Sequence, residues 1–96
     1  MPASSKHFGE YAQDIKNRFI EDPTKEMVLE IGSNDGLLLQ SFQAKGCVRV
    51  LGVDPAKNIA RFANDNGVPT IADFFSQKLA KNISKKSRKW VALLKQ

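Results

Sequence analysis

Val28-Leu29-Glu30-Ile31-Gly32-Ser33-Asn34-Asp35-Gly36 decides how the rest of the 96-residue chain is read. A short apolar run, Met27 to Ile31, is stopped by glycine, which fits a buried strand of a parallel sheet better than a half-exposed one. The run leads into a small polar loop and then a helix opening at Leu37. Gly32 and Gly36 bracket the loop. Without a Cβ, they let the backbone take positive φ and approach a ligand closely. The next acidic residue at a strand end is Asp54, in Val50-Leu51-Gly52-Val53-Asp54-Pro55. It lies about 20 residues past the loop, where a ribose-binding carboxylate is expected. Together the two pieces propose a nucleoside-binding half-site.

Working outward, residues 4–20 place Phe8, Tyr11, Ile15 and Phe19 three and four apart with charged residues between, the stripe of an amphipathic helix. Ser4 or Ser5 is its expected cap, and Asp22-Pro23 ends it. After the loop, Leu37, Leu38, Phe42 and Ala44 predict a helix closed by Gly46 as its C′ residue. Val48 to Val53 is a second strand. Pro55 suits the first turn of a helix whose buried side is Ile59, Phe62 and Ala63, and Asn66-Gly67 stops it. Val68 to Ala72 is a third strand. This alternation predicts right-handed crossovers and a parallel sheet with the first strand central. Phe75, Leu79 and Ile83 then continue at helical spacing. Trp90 to Leu94 fits either an extension of that helix or a fourth strand.

The loop is not the dinucleotide pattern G-x-G-x-x-G, because Asn34 stands where the second glycine falls. Glu30 and Asp35 would repel a pyrophosphate but not a ligand bearing a sulfonium and an ammonium group. The loop resembles motif I of the class I S-adenosylmethionine-dependent methyltransferases, E/D-x-G-x-G-x-G. From Val28 to about Leu79 the chain is similar to the sugar C-methyltransferase-like branch. There E-I-G-S-N-D-G, L-G-V-[DE]-P and a P-T…D-F-F segment occur in this order, here Glu30–Gly36, Leu51–Pro55 and Pro69–Phe75.

The resemblance implies an α/β, partial Rossmann-like three-layer fold with a three- or four-stranded parallel sheet behind an N-terminal amphipathic helix. It implies S-adenosylmethionine as cofactor. Glu30 would face the ammonium group, and Gly32, Ser33, Asn34, Asp35 and Gly36 the methionine part and ribose. Asp54 would accept the ribose hydroxyls, beside Pro55. Asp73 would reach the adenine amino group and Phe74 would pack on the base, with Ala56 and Asn58 nearby. Each position also has a plainer reading. Asp35 is equally a cap for the next helix, Glu30 a carboxylate holding loop amides, Asp54 a turn residue before proline, and Phe74-Phe75 core. Tyr11 is a candidate cover for the ligand. No catalytic base is assigned, and His7, the one histidine, reads as a surface residue.

Relatives in that family continue through further strands and an acceptor domain. The expectation is therefore a single domain, 1–96, that is the first half of a methyltransferase domain, truncated or adapted to stand alone. It comprises a leading helix (1–24), the binding half-site (25–77) and a basic C-terminal segment (78–96). Such a half-sheet exposes the edge of its central strand. Self-association into a homo-oligomer through that edge, or cover by the C-terminal segment, is expected.

Composition bounds the remaining classes. No apolar run approaches a membrane span, and the N-terminus has no signal-peptide core. One cysteine with one histidine makes neither an internal disulfide nor a metal site, so a cytoplasmic, metal-free protein is expected. The net charge of +5 is segregated: residues 1–77 carry eight Lys/Arg against ten Asp/Glu, whereas 78–96 carry seven Lys/Arg and no acid. That tail reads as a solvated helix face, with nucleic-acid binding as the alternative.

Overall fold

Met27–Ile31 forms β1, and every other strand is placed by reference to it. The computed structural model describes residues 2–87 and 89–94, with side chains of the first helix described from His7 onward. That helix is α1 (Pro2–Phe19), followed after β1 by α2 (Leu37–Ala44), β2 (Arg49–Val53), α3 (Lys57–Asp65), β3 (Thr70–Ile71), α4 (Gln77–Lys86) and β4 (Trp90–Leu94). The strands form one parallel sheet in the order β3-β2-β1-β4. Glu30 pairs with Gly52 on one side and Leu93 on the other, and Ile31 pairs with Val53 and Leu94. The fold is thus α/β and Rossmann-like, with four strands.

Alternation along the strands splits the core into two layers. Val28, Val50 and Leu93 face Ala12 and Ile15 of α1, Leu39 and Phe42 of α2, and Ala63 of α3. Met27, Leu29 and Val53 face the opposite way, onto Ile83 and Leu79 of α4, with Phe75 and Trp90 packed at the margin. Both faces of β1 are therefore covered, which is why its sequence is a nearly unbroken apolar run. The helices α2 and α3 close alike. Gly46 and Cys47 donate to Gln43 O and Phe42 O, and Gly67 and Val68 donate to Asn64 O and Ala63 O. In each, the residue after glycine is buried, so the cap aims the chain back into the core.

Several expectations shift. The first helix starts at Pro2 rather than being capped by Ser4 or Ser5, both of which lie inside it; proline tolerates a helix start because its missing N–H has no intrahelical partner there. The helix expected from Pro55 begins two residues later, at Lys57. Its buried side is Ala60 and Ala63, with Phe62 exposed. β3 is two residues long because Val68 N–H is spent on the α3 cap and Pro69 has none to give. Ser76 caps α4, its Oγ accepting from Leu79 N–H at 3.1 Å.

Trp90 to Leu94 is a strand, and it lies along the free side of β1. The C-terminal segment thus covers the edge that a three-stranded half-sheet would expose. Its entry is tied down by Arg49, which donates to Lys25 O and Lys86 O, both at 3.2 Å. Among the described residues no helix is long and apolar enough to cross a membrane.

Candidate functional site

After β3 the chain crosses to the far side of β1, so the strand order reverses between β1 and β4. In open α/β sheets the crevice at the carboxyl ends of the strands beside such a reversal is where ligands bind. Here that crevice is a cavity of about 440 Å³, within the range of small-molecule sites. Its walls are the end of β1 and its loop (Glu30, Gly32, Ser33, Asn34, Asp35), Leu37 and Leu38 of α2, Leu93 and Leu94 of β4, and His7, Phe8 and Tyr11 of α1.

The loop is held from below by β2. Gly32 and Ser33 N–H both donate to Val53 O, at 2.8 and 3.2 Å. Asn34 N–H donates to Asp54 Oδ2 at 3.0 Å, and Asp54 Oδ1 accepts Ala56 N–H at 3.0 Å. Gly32, Asn34 and Gly36 all have positive φ (76°, 53° and 84°), which folds the loop over the strand end. Gly36 also abuts Val68, whose Cγ1 would lie 3.0 Å from an added Cβ. Gly52 is tighter still: a Cβ there would meet Ser33 Oγ at 2.4 Å. The loop therefore requires glycine both within itself and on the strand beneath it.

Five sequence candidates, Glu30, Gly32, Ser33, Asn34 and Asp35, line the cavity. Glu30 is 6% exposed, at the end of β1. Gly36 is the N-cap residue of α2. Asp35 precedes it and accepts Leu37 N–H at 3.3 Å, so it supports the helix start from outside the cap position. Asp54 is 7% exposed and lies under the loop rather than in the cavity wall. Its backbone oxygen accepts Asp73 N–H at 3.1 Å, which brings the ends of β2 and β3 together. Asp73 Oδ1 accepts Phe74 N–H at 2.7 Å. Phe74 is 73% exposed, so of the Phe74-Phe75 pair only Phe75 belongs to the core. Pro55 is exposed beside Asp54. A second open space, of about 490 Å³, is lined by Asn34, Asp35, Asn58, Ile59 and Phe62. Asn34 and Asp35 thus border both.

Sequence reasoning missed His7 and Phe8 as wall residues, along with Leu93 and Leu94. The available signal was the helical offset: His7 and Phe8 stand four and three before Tyr11, on the same face. Among the described residues no cluster of His, Cys, Asp and Glu could hold a metal ion.

The geometry agrees with comparisons to known proteins. The chain is 46% identical over 59 residues to the C-methyltransferase NovU of Streptomyces niveus, a match spanning 62% of this chain and 14% of the relative. The chain is similar to part of a methyltransferase. Its fold matches the solved structure of a protein from Methanococcus maripaludis, proposed to be an S-adenosyl-L-methionine-dependent methyltransferase. The TM-score is 0.53 with 18% identity, over 93% of this chain and 33% of that one. The chain therefore resembles class I methyltransferases over a minor part of their length. No family model matches it.

Proposed function

We propose that this methyltransferase-like domain binds S-adenosylmethionine, or the thioether that methyl transfer leaves, over the Gly32–Gly36 loop. The observation that carries the reading is the Asn34–Asp54 bond beside an open cavity at the reversal of strand order. Glu30 and Asp35 suit the ammonium and sulfonium charges. The Asp54 carboxylate keeps acceptor capacity beyond the two N–H groups it holds, since each oxygen has two lone pairs. That capacity suits the ribose hydroxyls. Asp73, Phe74 and Pro55, at the adjoining strand ends, suit the adenine. The role read for this chain is donor binding. Methyl transfer further needs an acceptor held in line and, for some acceptors, a base, and neither is assigned. The buried thiol of Cys47 fits a cytoplasmic setting.

Calorimetric titration tests this. S-adenosylmethionine binds the intact chain, and Asp54→Ala weakens it at least about tenfold, the cost of one charge-assisted contact. No binding at millimolar ligand, or binding unchanged by Asp54→Ala, contradicts the reading.

A second reading, self-association, draws on β4. Its five residues are all uncharged, and Leu94 is 72% exposed. An uncharged apolar outer strand favours pairing with another copy, and concentration-dependent sedimentation would reveal it. The exposed lysines of α4 suit a solvated face, with Lys85 and Lys86 favourably placed at the helix C-terminus.

A further inference from the structure

The charges around the cavity are unevenly distributed. Glu30 and Asp35 contribute two acids, and no lysine or arginine is among the described lining residues. His7 is the one described lining side chain able to carry a positive charge. A nucleoside with an amino-acid tail brings both an ammonium and a carboxylate. The two acids suit the ammonium and repel the carboxylate, so the carboxylate needs a donor away from them.

The first helix supplies such donors. His7 and Tyr11 are four residues apart on α1, hence on one face, and both line the cavity. The helix is firmly seated. Ala12 and Ile15 are buried, and Lys16 Nζ donates to Lys45 O at 2.6 Å. His7 and Tyr11 thus form part of the α1 wall of the cavity, whereas Asp35 belongs to its loop wall.

We propose that His7, assisted by the Tyr11 hydroxyl, receives the α-carboxylate of the ligand's amino-acid tail. α1 is then the element that separates nucleosides carrying that tail from those lacking it. The inference rests on the nucleoside reading above, and its test keeps the two apart.

The intact chain is titrated calorimetrically with S-adenosylhomocysteine and with 5′-methylthioadenosine. Both are uncharged at sulfur, and only the first has the amino-acid tail. The intact chain binds the first more tightly. His7→Ala weakens it about tenfold while changing the second by less than about twofold. Tyr11→Phe gives a smaller loss of the same kind, and His7→Lys restores most of the His7→Ala loss. A merely structural role for His7 would weaken both ligands alike. Equal loss for both ligands, no loss for either, or no preference of the intact chain for the tailed ligand overturns the inference and leaves the nucleoside reading standing. If the intact chain binds neither compound, that reading falls and the inference with it.

Discussion

The backbone N–H of Asn34 and the Oδ2 of Asp54 are 3.0 Å apart, and this bond joins two segments 20 residues distant in sequence. It fixes the loop after β1 to the end of β2, and with it the floor beside the cavity. Asn34 is also the one described non-glycine residue with positive φ. The carboxylate therefore stabilises the loop where its backbone is least comfortable.

Removing that carboxylate leaves two N–H groups, of Asn34 and Ala56, without their partner. Hydrogen bonds to a charged group contribute about 1.5–3 kcal/mol each at most, and water can reach part of this site. Asp54→Ala is expected to lower stability by about 2 kcal/mol, read from the urea midpoint, with Asp54→Asn intermediate.

Gly52 gives a sharper test of the contact between loop and strand. A Cβ there would lie 2.4 Å from Ser33 Oγ and 2.8 Å from Ser33 Cβ. Overpacking of this kind costs about 1–3 kcal/mol. Gly52→Ala should destabilise by that amount. Adding Ser33→Gly should recover part of the loss, with a coupling of at least about 0.5 kcal/mol in a double-mutant cycle. Simple additivity would mean that the two residues do not touch.

At the opposite end of the sheet, Glu26 Oε2 accepts from Glu21 N–H at 3.0 Å and from Asp22 N–H at 2.7 Å. Its Oε1 lies 3.7 Å from Lys89 Nζ. The two kinds of contact differ in worth. Glu26→Ala, which orphans two amides, should cost about 2–3 kcal/mol. Lys89→Ala removes a long ion pair between an exposed lysine and this buried carboxylate, which keeps both amide donors, and should cost less than Glu26→Ala. Thermal melts of the two variants at low salt measure the difference.

Much of this was legible in the chain itself. The Met27–Ile31 run and its glycine stop place β1 and the loop, and Asp54 follows at the right spacing. Trp90 to Leu94 was not decided by sequence because its apolar residues fit a helical stripe as well as a strand. Pairing with β1, a contact over 60 residues away, settles it. His7 was illegible for a different reason. A single histidine carries no pattern, and only the packing of α1 across the strand ends places it on the cavity. Asp54 was legible as an acid at the end of β2, but its hold on the Asn34 amide was not, since nothing local signals a side-chain bond to a distant loop.

Burial raises the Cys47 thiol pKa, with Lys16 opposing the rise and Glu26 adding to it. The folded state thus keeps its proton to higher pH than the unfolded state. The stability this confers is present below the unfolded thiol's pKa, and is lost as pH rises from about 8.5 through the folded value. The urea midpoint of the intact chain should therefore fall more steeply than that of Cys47→Ala over this alkaline window. Parallel curves would mean that the thiol is not shielded.

Binding of an adenosyl ligand at the loop is the claim on which the rest depends, and backbone amide NMR during titration with S-adenosylmethionine tests it most directly. Shifts are expected to concentrate at Gly32–Gly36, Asp54, Asp73 and Leu93–Leu94, with α4 unaffected. Shifts centred on the lysines of α4, or none at millimolar ligand, would contradict it.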